Sequence, residues 1–152
     1  MNKLLYILLL LPSLAMAEIN FGVGTSGASS RVAEGSSVRI GWNDEKQYQW
    51  FANVSWHGKY QDKDDTVDSH VMITGGKRIL AWEFANDWLL YGDLGAAWTS
   101  KTSTANSSIF TFSEEIGVQY KKVSLGIKHT SNAGIVKPNH GENSIYLTYH
   151  FK

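Results

Sequence analysis

The sequence contains no cysteine among its 152 residues. This excludes a disulfide, a zinc site with thiolate ligands and a lipid anchor on an N-terminal cysteine. The sequence also has no excess of charge of one sign, because Lys plus Arg and Asp plus Glu are both 14. No cluster of basic residues offers a phosphate-binding face, so the sequence argues against nucleic acid as a partner.

Long hydrophobic runs are equally scarce. The one clear run, Leu4 to Leu14, is too short to cross a bilayer as a helix. A lysine precedes it, and the small residues of Ala15-Met16-Ala17 follow it, as in a secretory signal peptide. We therefore expect residues 1–17 to be a cleaved signal peptide and residues 18–152 to form one domain.

After this run, no segment shows a sustained period of 3.6 residues with helix caps. Apolar residues instead alternate with polar or small ones, as in segments 37–42, 50–57, 123–128 and 144–151. A period of two places successive side chains on opposite faces of a strand. The pattern predicts an all-β protein with about eight strands, each with one apolar face.

The connections between these strands alternate in length. Short connections alternate with long polar ones, in the order 26–35, 43–47, 59–69, 85–87, 99–108, 121–122 and 129–143. Short inner turns and long outer loops are typical of bacterial outer-membrane barrels. The six Trp, seven Tyr and six Phe are numerous enough for the aromatic girdles of such a barrel. We predict an antiparallel eight-stranded outer-membrane β-barrel.

The segment HTSNAGIVKPNHGEN, residues 129–143, contains the candidate chemistry. His129 and Ser131 are two residues apart, so on a strand their side chains leave the same face. The alternation of Val123, Leu125 and Ile127 continues into this pair, which places it on the apolar, lipid-facing side near the outer end of a strand. A polar pair there is costly and suggests a function.

The residues that follow this pair allow a comparison with a known family motif. The segment resembles the PagL-type lipid A 3-O-deacylases, outer-membrane serine hydrolases whose motif runs His-x-Ser-Asn-Ala, then Pro-Asn-x-Gly and an acidic residue. The matching residues are His129, Ser131, Asn132, Ala133, Pro138, Asn139, Gly141 and Glu142. The resemblance implies that Ser131 is the nucleophile, that His129 is the general base and that a carboxylate orients His129.

Two neighbouring residues compete for the role of orienting group. Strand parity favours Asn143, whereas charge favours Glu142, because an ionised carboxylate stabilises the imidazolium that forms during attack. We predict Glu142. For the developing oxyanion, the candidates are the side-chain amides of Asn132 and Asn139 and the backbone N–H groups around Ala133 and Gly134.

The sequence thus predicts a lipid A 3-O-deacylase of the bacterial outer membrane. Its substrate would be lipid A of lipopolysaccharide, and the chemistry would need no metal and no cofactor. The oligomeric state, including a homodimer, stays open. Two rival hypotheses are a non-catalytic structural or adhesive outer-membrane barrel and a soluble periplasmic barrel with its apolar face inside.

Overall fold

The computed structural model describes residues 17–28, 34–44, 50–62 and 65–151. The predicted signal peptide lies outside this part except for Ala17, so its cleavage stays a prediction. The described chain forms ten strands, namely Ala17–Ala28 (β1), Gly35–Asp44 (β2), Trp50–His57 (β3), Tyr60–Asp62 (β4), Asp65–Val67 (β5), His70–Ala85 (β6), Trp88–Thr99 (β7), Phe110–Tyr120 (β8), Val123–Ser131 (β9) and Glu142–Phe151 (β10). No helix suited to crossing a membrane occurs among the described residues.

Eight of these strands close into a barrel in the order β1-β10-β9-β8-β7-β6-β3-β2. The first and last strands pair with each other, from Ile19 opposite Phe151 to Ala28 opposite Glu142. Every neighbouring pair in the barrel is antiparallel. Closure leaves no strand edge unpaired, as a membrane-spanning sheet requires. The predicted eight-stranded antiparallel barrel is confirmed.

The alternation in sequence becomes an alternation between the outside and the lumen. On β3, Val54 and Trp56 point outward with 52% and 45% of their surface exposed, whereas Ser55 and His57 are buried in the lumen. An apolar exterior around a polar interior is what a hydrocarbon solvent selects. The soluble barrel would need the opposite arrangement, so that rival hypothesis is wrong.

Exposed aromatic residues gather at both ends of the barrel wall. Near the short turns, Trp82, Phe84, Trp88 and Tyr120 form a row with ring centroids 4.8–6.1 Å apart. At the opposite end the exposed rings are Trp56, Trp98, Phe110 and Phe112. Two such girdles mark the two interfaces of the lipid band.

Charged side chains fill the lumen in pairs. The Arg39 guanidinium donates to the Glu115 carboxylate at 2.6 Å, and Tyr91 donates to the same carboxylate at 2.8 Å. Farther toward the outer end, the Lys128 ammonium donates to Thr74 Oγ1 at 2.6 Å. Buried charges need partners of this kind, and the Arg39–Glu115 pair links strands from opposite sides of the barrel.

The long connection 59–69 is not a plain polar loop, because it holds the small β4–β5 hairpin. Tyr60 and Val67 of this hairpin form a small buried cluster with Ala28 and Ala105. Asp62 of this hairpin is buried and accepts a hydrogen bond from His140 Nδ1 at 2.7 Å. The hairpin therefore caps the outer end of the lumen.

Candidate active site

The outward face of β9 carries the candidate pair. Val123, Leu125 and Ile127 are 42–55% exposed on this face, and His129 and Ser131 continue it at the outer end of the strand. Both polar side chains are half-buried. The structure therefore places the pair where strand parity predicted, on the wall that faces lipid.

His129 is held by Asn143, its direct cross-strand neighbour on β10. The His129 Nδ1 atom lies 2.7 Å from Asn143 Oδ1. Because an amide oxygen can only accept, Nδ1 carries the proton, which leaves the lone pair on Nε2. A general base needs this tautomer, and a group on Nδ1 is what fixes it.

Glu142 does not contact His129, and the predicted contact is wrong. Its side chain points into the lumen, where the carboxylate lies against His57 and His70 and accepts a hydrogen bond from the Tyr60 hydroxyl at 3.0 Å. Glu142 and Asn143 are neighbours on β10, so their side chains leave opposite faces of the sheet. His129 lies on the same face as Asn143, and Glu142 therefore lies on the other side of the wall. Strand parity therefore decides the position, and charge does not.

Gly141 makes room for the His129 ring. Its φ of 75° lies in the left-handed region, which glycine adopts readily. A Cβ atom at this position would lie 2.4 Å from His129 Cε1. The glycine of the motif is therefore needed twice, once for its backbone conformation and once for the packing of the imidazole.

The loop after Ser131 uses most of the predicted oxyanion donors to hold itself together. The Asn132 amide donates to Ser107 Oγ at 3.1 Å and to the Val136 carbonyl at 2.9 Å, and its Oδ1 atom accepts from Gly134 N–H. The Asn132 N–H donates to Asn139 Oδ1 at 3.2 Å. The Asn132 side chain and the Gly134 N–H therefore stabilise the conformation of the loop.

Two of the predicted donors are not used to hold the loop together. The Ala133 N–H points at Ser131 Oγ at 3.4 Å, and Ala133 adopts a left-handed φ of 55°. A non-glycine residue in this conformation carries strain of the kind that clusters at functional sites. Within the described residues the Asn139 side-chain nitrogen makes no hydrogen bond, so this amide is also available as a donor.

A shallow groove of about 290 Å³ runs beside the pair on the outer wall. Its lining residues are Leu94, Gly95, Phe112, Ser113, Glu114, His129, Ser131 and Ala133. Apolar side chains thus lie next to the candidate nucleophile. The groove has the surface chemistry to receive an acyl chain.

Glu114 is the residue of this groove that the sequence analysis missed. It is exposed on the outward face of β8 and is the cross-strand neighbour of His129. A detectable signal was present, because Glu114 falls on the same strand face as Phe112 and Ile116, where a carboxylate is out of place. Directly opposed side chains have Cβ atoms about 5 Å apart, which puts a charge within reach of the imidazole.

A closed eight-stranded barrel with an apolar exterior, a polar lumen and a serine–histidine pair on its outer wall defines a class, that of small outer-membrane β-barrels with a candidate hydrolase site. The family model described as lipid A 3-O-deacylase (PagL) matches residues 34–152. The chain belongs to this family. The predictions of an ester hydrolase and of the outer membrane as its location agree with it.

The fold agrees with a solved structure of this family. The chain is similar to the crystal structure of the outer membrane enzyme PagL, with a TM-score of 0.65 and 22% identity over 88% of this chain and 98% of that chain. It is also similar to the backbone structure of the Yersinia pestis outer membrane protein Ail in a phospholipid bilayer nanodisc, with a TM-score of 0.49 and 17% identity over 89% and 99% of the two chains. No curated protein matches the sequence.

Proposed function

We propose that this protein hydrolyses the ester-linked acyl chain at position 3 of lipid A in the outer leaflet, with Ser131 as nucleophile and His129 as general base. The position of the pair carries this proposal, because both side chains lie on the lipid-facing wall at its outer end, beside an apolar groove. An ester at the interface meets Ser131 there without leaving the membrane.

The chemistry follows from the tautomer of His129. Its free Nε2 takes the proton from Ser131 Oγ while the oxygen attacks the ester carbonyl carbon. The tetrahedral intermediate collapses by breaking the bond to the lipid A oxygen, which leaves as a hydroxyl with the proton from His129. Water then attacks the acyl-serine and gives its proton to Nε2, and His129 returns this proton to Ser131 Oγ as the acyl–serine bond breaks and the fatty acid is released.

Two residues divide the role that a single acid fills in a serine–histidine–acid triad. Asn143 holds the ring and fixes its tautomer, but a neutral amide cannot stabilise the imidazolium by charge. Glu114 lies on the other side of His129 across the sheet. Its carboxylate supplies the negative charge that favours the imidazolium.

The oxyanion of the intermediate would be stabilised by the Ala133 N–H and by the Asn139 amide. The first already points at Ser131 Oγ, and the second lies on the segment that is bonded to Asn132. Donors that are fixed before the reaction contribute most to acyl transfer, because they need no reorganisation.

The mass of lipid A from bacteria that produce the protein tests this function. We expect loss of one hydroxy fatty acid with the wild type and unmodified lipid A with Ser131→Ala. Heat-modifiable migration on gels and recovery in the outer-membrane fraction establish that both proteins are folded at equal levels. Unmodified lipid A with folded wild-type protein would instead favour the non-catalytic structural or adhesive barrel.

A further inference from the structure

Three side chains from distant parts of the sequence meet in the lumen near its outer end. His57 on β3, His70 on β6 and Glu142 on β10 are all buried, and their potential ligand atoms lie within 4.8 Å of one another. Glu142 Oε1 is 2.5 Å from His57 Nδ1, and Oε2 is 3.1 Å from His70 Nε2. The two imidazole rings stack with centroids 5.0 Å apart. One carboxylate thus faces two histidines.

In each ring, the nitrogen that points away from the cluster already has a polar partner. His70 Nδ1 donates to the Asp68 carbonyl at 3.1 Å. His57 Nε2 lies 2.8 Å from Ser55 Oγ and 3.3 Å from the Tyr146 hydroxyl. Metal-binding histidines almost always bond their second nitrogen to a carbonyl or another polar group, which fixes the ring. Both histidines therefore present one nitrogen to the cluster in the manner of metal ligands.

The atoms that face the cluster are poorly satisfied without an ion. His57 Nδ1 and Glu142 Oε1 are fully buried, yet neither makes an aligned hydrogen bond despite their short separation. A divalent cation would remove this difficulty, because it accepts the lone pairs of both nitrogens and of the carboxylate.

We propose that His57 Nδ1, His70 Nε2 and the Glu142 carboxylate bind one divalent transition-metal ion of the Zn²⁺ type. Imidazole ligands favour such ions over Mg²⁺ and Ca²⁺. Such an ion would take these ligand atoms at about 2.0–2.2 Å. The ion would fasten β3, β6 and β10 together and would not touch the substrate, because His129 and Ser131 lie on the other side of the wall.

Two surrounding features support the site. The Tyr60 hydroxyl donates to Glu142 Oε2 at 3.0 Å and so orients this carboxylate. A recess of about 120 Å³ opens beside His70, so this histidine can be reached from the outer surface.

Metal binding by the purified full-length barrel tests the proposal. Folded protein in detergent is stripped with a chelator, incubated with ZnCl₂ and separated from free zinc before the metal is quantified. We expect about one zinc per chain for the wild type and less than a tenth of this for His57→Gln, His70→Gln and Glu142→Gln. Binding of Co²⁺ should give visible absorption bands that the same variants lose.

His150→Gln is the matched control. His150 forms another buried histidine–carboxylate pair in the lumen, with Glu18, and it also bonds Ser124. Among the described residues this pair has no third metal ligand, so the variant should keep its zinc. Heat-modifiable migration identifies the variants that fold. Wild-type barrel without zinc, or equal zinc in folded wild type and Glu142→Gln, would overturn the site, whatever the result for lipid A.

Discussion

Two neighbouring residues of β10 face opposite sides of the barrel wall, and each of them contacts histidine. Inside, the charged Glu142 is surrounded by His57, His70 and Tyr60 and is 1% exposed. Outside, the neutral Asn143 holds His129 beside an open groove. The contrast shows that a histidine bonded to a β10 side chain is part of the packed lumen on one side of the wall and is open to the groove on the other.

Substitutions on the two sides of the wall should also affect different properties, stability on the inside and activity on the outside. Removing one partner of a buried charged pair costs about 3–5 kcal/mol of stability, because an unpaired group stays in the interior. The outer pair contributes little to stability, because its groups can reach water at the interface. Changes inside should therefore lower the stability of the barrel, whereas changes outside should lower the rate of hydrolysis. The predictions below test this division.

The largest effect is expected from the reacting groups. Ser131→Ala and His129→Ala should each lower lipid A deacylation by at least about 10³-fold, because the two side chains act as a unit. The double variant should be scarcely worse than either single one. Rates measured on detergent-solubilised lipopolysaccharide with folded protein would show this. Ordinary activity in Ser131→Ala would remove the serine mechanism.

The next effect separates the two sides of β10. Asn143→Ala should lower kcat by about 10²-fold with little change in stability, because His129 loses its fixed tautomer. Glu142→Gln should leave the kcat of folded protein within a few-fold of the wild type and should lower the urea midpoint of unfolding. The reverse ranking would return the orienting role to Glu142.

A smaller effect tests the packing of the His129 ring against Gly141. Gly141→Ala should lower activity by about tenfold or more, because the added methyl displaces the His129 ring. Gly134→Ala is the matched control, since Gly134 has a similar φ of 77° but no atom within 4 Å of an added Cβ. Equal losses in both variants would mean that backbone strain, and not the ring, is responsible.

The smallest effect concerns the charge beside His129. Glu114→Gln should lower kcat by about threefold to fivefold with an unchanged KM, which corresponds to an ion pair of up to about 1 kcal/mol. Glu83→Gln, another exposed carboxylate on the wall, should have no effect. Asn143→Asp should rescue Glu114→Gln by placing a carboxylate directly on His129. No loss in Glu114→Gln would exclude its role.

The sequence predicted most of the fold because alternation is a local property. Strand faces, short turns and the outward position of His129 and Ser131 all follow from residues that are close along the chain. The same reasoning favoured Asn143 as the neighbour of His129, and the preference for Glu142 failed because it set a chemical argument against strand parity.

The remaining features depend on pairing between distant segments. Glu114 reaches His129 only through the register of β8 with β9, and His57, His70 and Glu142 meet only when the sheet closes. Their spacing along the chain resembles no metal motif, so no local pattern connects them. The β4–β5 hairpin was also not predicted, because strands of three residues are too short to show a recognisable alternation.

The filled lumen has an electrical consequence. The space left among Arg39, Arg78, Tyr91, Asp93 and Glu115 is only about 10 Å³, at the limit of what one water molecule occupies. Ions could pass only by breaking the charge pairs that link opposite strands. In a planar bilayer under voltage, the folded barrel should therefore behave as an insulator and show none of the steady conductance of a porin.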